Sequence, residues 1–352
     1  MDLNSDNNMI VFLRNIKLII LASILVLFSC EKRIELPIPI PFAPKQIGVK
    51  YPPNKASVPF YPVRGNHEEF QDLDYITDQL LPIYGNEIYR LDDKSVNYFF
   101  DVKNVRIIIV DQQSEFSKEV DDGLLPDFSR YDGNINQLGL NWVESVIEGV
   151  GSQIDHVFIV YHSPAFPTYR NIGESFDRFA DNRNAFWDML MSHKDVVRAV
   201  FAAHTHYYSK IQVANPRNVP VDNIINDTNG IFELNGGTTG RNGAPNTIIE
   251  IETNGKNVYF RTVQANNVGD EFSLKEEWSI SNEQDKDITK CTFAFICDHR
   301  NSHEPFIRNL REIKAMSVNP TPSFNPIEFV IDGGDMDPIQ ENYEGIYLKI
   351  FK

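Results

Sequence analysis

The chain has 352 residues, with 33 Lys and Arg against 49 Asp and Glu, for a formal net charge of −16. That acidity excludes the basic footprint a nucleic-acid backbone requires, while 42% apolar and 12% aromatic residues exclude a disordered or low-complexity chain. Three cysteines are too few for a disulfide framework at this length; what remains is a folded body with room for one large domain or two modest ones.

At the N-terminus, Arg14 and Lys17 precede an apolar run from Leu18 to Phe28, which closes on Leu27-Phe28-Ser29-Cys30. A basic start and a short apolar run fit a secretory signal better than a membrane span, which needs about 20 residues. Counted from Met9, the n-region has conventional length. The Leu-Phe-Ser-Cys ending is similar to the lipobox of bacterial lipoproteins. That resemblance implies a signal over residues 1–29, cut before Cys30, and acylation of Cys30. The product would be an exported lipoprotein, anchored to a membrane without spanning it, on the periplasmic or cell-surface face of a diderm bacterium. Loss of Asp2, Asp6, Arg14 and Lys17 with the signal leaves the net charge unchanged. Residues 30–56 follow as a Pro-rich, extended tether (Leu36-Pro-Ile-Pro-Ile-Pro-Phe-Ala-Pro44).

Beyond the tether, short apolar runs alternate with helical stretches. Phe60–Val63, Val105–Val110, His156–Tyr161 and Val197–Ala203 read as strands, with helices over Gln137–Val150 and Arg178–His193. Gly230–Leu234, Thr247–Glu252 and Asn257–Val263 alternate apolar with polar around Gly-Gly and Asn-Gly turns, as antiparallel strands do. Ala265–Lys290 is mostly polar and reads as a linker or surface excursion. A β–α–β pattern then returns, with strands over Cys291–Cys297 and Glu328–Ile331 and a helix near Pro305–Met316. Six residues along a strand span about 20 Å, so Cys291 and Cys297 are expected as two core thiols rather than a disulfide. No solenoid repeat is visible. The expectation is a layered α/β sandwich whose middle section is antiparallel.

Four segments share one design, a strand followed by metal-type ligands. Gly65-Asn66-His67-Glu68 follows Phe60–Val63, and His162-Ser163-Pro164 follows Val157–Tyr161. His204-Thr205-His206 follows Ala199–Ala203, and Gly334-Asp335 follows Phe329–Ile331. Neutral imidazoles and carboxylates hold divalent transition metals, and strand ends hold them rigidly. A bridging Asp can keep two metals about 3.5–4 Å apart, the spacing that clamps the oxygens of a displacement at phosphorus.

Gly-Asn-His-Glu, His-x-Pro and His-x-His in this order resemble the calcineurin-like metallophosphoesterases, with the purple acid phosphatase branch as a candidate relative. Ala203 stands where that family usually has Gly. The family normally begins with Asp-x-His and Gly-Asp-x-x-Asp, and residues 31–64 contain neither. Segments similar to both occur at the other end, as Cys297-Asp298-His299-Arg300 and Asp332-Gly-Gly-Asp335-Met-Asp337. The resemblance therefore implies a four-layer α/β/β/α sandwich with mixed sheets, circularly permuted. A single domain over 57–352 would carry the last three motifs in 57–264, a linker in 265–290 and the first two motifs in 291–352.

Carried over residue by residue, the resemblance makes Asp335 a bridge between two metals, for which Fe, Mn or Zn are the candidates. Asn66, His162 and His204 would complete one site, and Asp298 with His206 the other. His67 would protonate the leaving group, held by Glu68 or Asp337, while a metal-bridging hydroxide attacks phosphorus. Arg300 falls where the family usually has a metal-ligating His. Arginine stays protonated and cannot ligate a metal. Either His299 or His303 substitutes, or the first site has fewer ligands, or Arg300 binds a phosphate oxygen through its planar fork. The implied activity is hydrolysis of a phosphate ester, a monoester in preference to a diester, on a phosphorylated small-molecule or macromolecular substrate.

Two other readings stay open. In one, the chain is a non-catalytic surface binding protein that keeps a degenerate version of the fold. In the other, residues 291–352 begin a truncated second copy of the domain. His156 and His193 read as structural, and Asp111 as a support for the site from its strand end. The Tyr207-Tyr208 pair can line a pocket rim or pack, with packing favoured. Connections Gln112–Asn136 and Ser163–Asp177 are expected to shape the pocket.

Overall fold

The computed structural model describes residues 58–68, 88–91, 96–113, 133–218, 227–238, 244–267, 270–280, 289–299, 303–320, 324–336 and 350–351. The segments expected as signal and tether, Cys30, Arg300, Asp337 and the His303 side chain lie outside them. Residues 43–352 form one compact unit.

The strands are, in chain order, β1 (Phe60–Pro62), β2 (Ile88–Arg90), β3 (Tyr98–Val102), β4 (Val105–Ile109), β5 (His156–Val160), β6 (Val197–Ala202) and β7 (Tyr208–Val213). After them come β8 (Ile231–Gly236), β9 (Asn246–Asn254), β10 (Asn257–Ala265), β11 (Ser273–Ile280), β12 (Lys290–Ile296) and β13 (Phe329–Asp332). The α-helices are α1 (Gln137–Glu148), α2 (Ala180–Ser192) and α3 (His303–Val318). One sheet has the order β2-β3-β4-β5-β6-β8-β7, the other β1-β13-β12-β9-β10-β11. Both mix parallel with antiparallel pairs.

Side-chain alternation builds the layers. Ile107, Ile109, Phe158, Val160, Ala199 and Phe201 turn into the core shared with the second sheet. Their neighbours Ile108, Val110, Val157, Ile159, Val200 and Ala202 pack with Trp142, Val146, Phe186 and Trp187 of α1 and α2. A strand buried on both faces must be apolar throughout, which is why β4, β5 and β6 read as continuous runs. Between the sheets, Phe293 lies 5.4 Å from Phe158 and Phe295 lies 5.0 Å from Phe201, ring centre to ring centre. On the far side of the second sheet, α3 buries Phe306, Leu310 and Ile313 and touches β9. The succession is helix, sheet, sheet, helix. The Asn136 side chain caps α1 by accepting from the Leu138 and Gly139 amides at 3.0 and 3.2 Å.

The two late strands lie inside the second sheet. Strand β13 pairs in parallel with β1 (Tyr61 opposite Ile331) and with β12 (Phe295 opposite Ile331), and β12 pairs antiparallel with β9. Strands β12 and β13 thus lie in the same sheet as β1. Cys291 and Cys297 are buried and free.

One expectation fails. Ala265–Lys290 is not simply a linker, because β11 adds to the sheet beside β10. Its inward face carries Glu276, Trp278 and Ile280. Trp278 stacks on Phe260 at 4.0 Å, and Glu276 receives the Tyr208 hydroxyl and, at 2.5 Å, the Lys210 ammonium. The opposite face, Lys275, Glu277 and Ser279, is exposed, so charge masks the alternation in the sequence. Strands β2, β3 and β7 were also absent from the sequence-derived element order. No helix among the described residues is long and apolar enough to cross a membrane.

Candidate metal centre

Parallel pairing sends many strand ends to one edge. Strands β1, β13 and β12 run in one direction and lead into Asn66, Asp335 and Asp298. Strands β5 and β6 run parallel in the other sheet and lead into His162 and His204. Clefts at the carboxyl ends of strands are where α/β folds bind ligands. The chain turns sharply there. Of the six non-glycine residues described with positive φ, four are His204, His206, Asp298 and Asp335, at 52–68°. That region costs a non-glycine residue about 1–3 kcal/mol, and such strain collects at functional sites.

Asn66 is the hub. Its Oδ1 lies 3.0 Å from His162 Nε2 and 3.1 Å from His204 Nδ1. Asp335 Oδ1 lies 3.4 Å from His162 Nε2. His162, Asp298 and Asp335 bring ligand atoms within 4.8 Å of one another, all three buried. Asp298 Oδ1 accepts from the His204 amide at 3.1 Å and lies 3.8 Å from His206 Nε2. Two glycines make the approach possible. A Cβ on Gly65 would meet the Asp335 nitrogen and Oδ1 at 2.5 Å, and Gly334, with φ of 95°, lies against Gly65.

The proton inventory is informative. His162 Nδ1 donates to the Gly333 carbonyl at 2.8 Å, so Nε2 carries a lone pair toward Asn66 Oδ1 and Asp335. The His204 ring makes a backbone hydrogen bond at Glu174, which leaves Nδ1 as its lone pair, also toward Asn66 Oδ1. Burial pushes His162 down to about 4 and His204 down to about 3, so both rings are neutral near pH 7. Two imidazole nitrogens, an amide oxygen and the carboxyl groups of Asp298 and Asp335 therefore face one another. Acceptors arranged like this favour a cation, and their chemistry fits a transition metal.

Surrounding groups hold the loops. The Glu68 carboxylate receives three amides, from Gly65 at 2.5 Å, from Asp335 at 3.2 Å and from Met336. It therefore ties the Asn66 turn to the Asp335 turn. Burial, and then the Asp335 charge, push Glu68 up to about 8. The carboxylate described at His67 is Asp335, with Oδ2 at 3.9 Å from Nε2 and Oδ1 accepting the His67 amide at 3.3 Å. The His67 side chain is 25% exposed, at the mouth of the cluster. His299, a candidate ligand from sequence, turns to Asp332 (3.3 Å) and stacks on Phe306 at 4.1 Å. Asp332 also accepts the Gly334 amide at 3.0 Å.

Several supporting residues escaped the sequence reading. Gln112 clamps Ser163, accepting its amide at 2.7 Å and donating to its carbonyl at 3.0 Å. Glu233 accepts the Ala165 and Phe166 amides at 2.7 and 2.9 Å from the other side. Arg170 Nη1 donates to His206 Nδ1 at 3.0 Å. The one available signal was Glu233 and Asp332 themselves, carboxylates set within apolar strand runs. Asp111 accepts the Gln113 amide and meets Arg64, beside Gly65, at 3.5 Å. Tyr208 packs and bonds Glu276 and Thr262, whereas Tyr207 is exposed. His156 is structural, between Gly255 O and Arg198 Nε. His193 caps α2, with Glu144 and Glu148 of α1 close by. Of the expected pocket connections, Ser163–Asp177 lies beside the cluster, and most of Gln112–Asn136 lies outside the described residues.

The family model described as calcineurin-like phosphoesterase matches residues 41–208. That span contains Asn66, His67, Glu68, His162, His204 and His206. The match supports the metallophosphoesterase superfamily and metal-dependent phosphoester hydrolysis as the general chemistry. No curated protein matches the chain.

Proposed function

We propose that this chain hydrolyses phosphate esters at a dinuclear metal centre, monoesters in preference to diesters. The observation that carries the reading is the convergence of acceptor atoms on Asn66 Oδ1, where lone pairs of two neutral imidazoles meet an amide oxygen and the Asp335 carboxylate. Asp335 would lie between two cations, with Asn66, His162 and His204 on one side and Asp298 and His206 on the other. When bound, such cations polarise the phosphoryl oxygens and lower the pKa of water; iron, manganese and zinc all suit the donor set. The chain's own residues do the rest. His67, at the exposed mouth, is placed to hand a proton to the departing oxygen. Glu68 keeps the Asn66 and Asp335 turns in register, and Gln112 and Glu233 hold the His162 turn. His206 now accepts from Arg170 at Nδ1, which puts the ring proton on Nε2. Ligation through Nε2 would need the ring proton to move to Nδ1 and the Arg170 hydrogen bond to be given up.

The late position of Asp298 and Asp335 supports a circular permutation, in which β12 and β13 supply the strands that the family pattern puts first. The apolar run ending in Cys30 supports lipid anchoring of an exported protein on the periplasmic or cell-surface side of a diderm bacterium.

The test is metal analysis of the purified protein together with turnover of a generic aryl phosphate. About two transition-metal ions per chain and chelator-sensitive hydrolysis are expected. A protein that takes up no metal and stays inert would leave a non-catalytic binding protein as the better reading.

A further inference from the structure

Five large apolar side chains are exposed among the described residues, and three of them, Tyr169, Ile172 and Tyr207, lie in the two segments that adjoin His204 and His206. Tyr169 is 63% and Tyr207 40% exposed, with ring centres 5.9 Å apart. Both segments are fixed to the cluster. Arg170 donates to His206, and Asn171 Nδ2 donates to the His204 carbonyl at 3.2 Å from a backbone with φ of 59°. The remaining donors of the Arg170 fork have no partner among the described residues. Exposed rings do not gather beside a buried polar cluster for the sake of stability, since water gains nothing by their exposure. Grouped at a cleft, they mark where a ligand covers them.

We propose that Tyr169, Arg170 and Tyr207 form the specificity rim of this centre, and that the substrate is a phosphate ester whose leaving group carries a flat aromatic ring. The inference rests on the phosphoester hydrolysis proposed above. A guanidinium fork matches two phosphoryl oxygens, and Arg170 has donors to spare for them. The paired tyrosines offer rigid contact area at little cost in side-chain entropy. A flat ring against them gains edge or offset-stacked contacts that a saturated ring of the same size cannot make. In the reaction, the oxygen of water bonds to phosphorus as the bond from phosphorus to the ester oxygen breaks. One proton of that water ends on the aromatic alcohol, and orthophosphate remains.

Benzyl phosphate and cyclohexylmethyl phosphate test this, because their leaving alcohols are alike in size and differ in the flat ring. The metal-loaded wild type is expected to favour the benzyl ester by roughly 2- to 12-fold in kcat/KM, chiefly through KM. Tyr169→Leu and Tyr207→Leu should erase that preference, and Arg170→Gln should slow both esters alike by roughly tenfold or more. Calorimetric binding of benzylphosphonate and cyclohexylmethylphosphonate provides the same comparison without turnover. Equal rates and equal affinities for the two ring types overturn the rim while leaving phosphoester hydrolysis standing, as does a preference that survives both leucine variants. Failure to hydrolyse any ester, the generic aryl phosphate included, overturns the hydrolytic reading and the rim with it.

Discussion

Asp335 Oδ1 lies 3.4 Å from His162 Nε2, although the two residues follow strands of different sheets, β13 and β5, in distant parts of the chain. The contact joins the C-terminal strand pair to the N-terminal ligand set. It makes Asp335 the sharpest single probe of the site. Asp335→Asn keeps the shape and removes the charge that two cations would share. Turnover of an aryl phosphate is expected to fall roughly 10³-fold or more, with loss of bound metal. Wild-type rates and metal content in this variant would end the bridging role.

Chelation probes the cluster as a whole. Asp298, Asp332, Asp335 and Glu68 are all buried near one another, and cations at the acceptor cluster would offset their repulsion. Dialysis against a strong chelator should abolish turnover and lower the melting midpoint, and added metal should restore both. An unchanged midpoint after complete metal removal would argue against a cation at the cluster.

Gly65→Ala tests the close approach of the two turns. The added Cβ would sit 2.5 Å from the Asp335 nitrogen, a backbone atom that cannot swing aside. A loss of roughly 2–4 kcal/mol in denaturant unfolding is expected. A displacement near 1 Å at Asp335 should also cost turnover about 10²-fold. A fully active, equally stable variant would mean that the turns are looser than described.

Glu233 carries the pH dependence. Burial pushes its carboxyl from 4.5 up to about 8, against the opposing pull of the Ala165 and Phe166 amides. A raised carboxyl favours the folded state while protonated in it, so its contribution is full below the unfolded value and falls as pH rises from about 4.5 to about 8. Relative to Glu233→Gln, the wild type should lose a few kcal/mol over that window. Thermal melts of both proteins at several pH values measure the difference, and parallel profiles would count against it.

Asn309 is fully buried in α3, and neither its amide nitrogen nor its carbonyl oxygen has a partner among the described residues. Replacement by the similarly sized Leu removes that desolvation cost. Asn309→Leu is expected to stabilise by roughly 1–3 kcal/mol, read as a higher unfolding midpoint. A lower midpoint would show that the amide holds something in place.

The strands that carry ligands were legible because burial on both faces leaves an apolar run with an abrupt polar end, as at Val160 before His162 or Ile331 before Asp335. Strand β11 was not, since a half-exposed edge strand carries charge on its wet face and Glu276 even on its inner one. The ligands themselves stood out by type and order. The residues that aim them did not: Gln112, Glu233 and Arg170 act through backbone atoms or a ring nitrogen of residues far away in sequence. No local spacing encodes such partnerships.

The order β1-β13-β12-β9 also has a consequence for synthesis. Strand β1 emerges first, but the strand it lies against is made from Phe329–Asp332, near the end of the chain. At about 5–20 residues per second, β1 waits on the order of ten seconds or more for β13. Phe293 and Phe295, which fill the space between the sheets, arrive just before it. Pairings this remote are slow to close. A ribosome that stalls before Phe329 therefore releases a chain with open sheet edges and an uncovered apolar face, a species for chaperones and proteases rather than a smaller working protein.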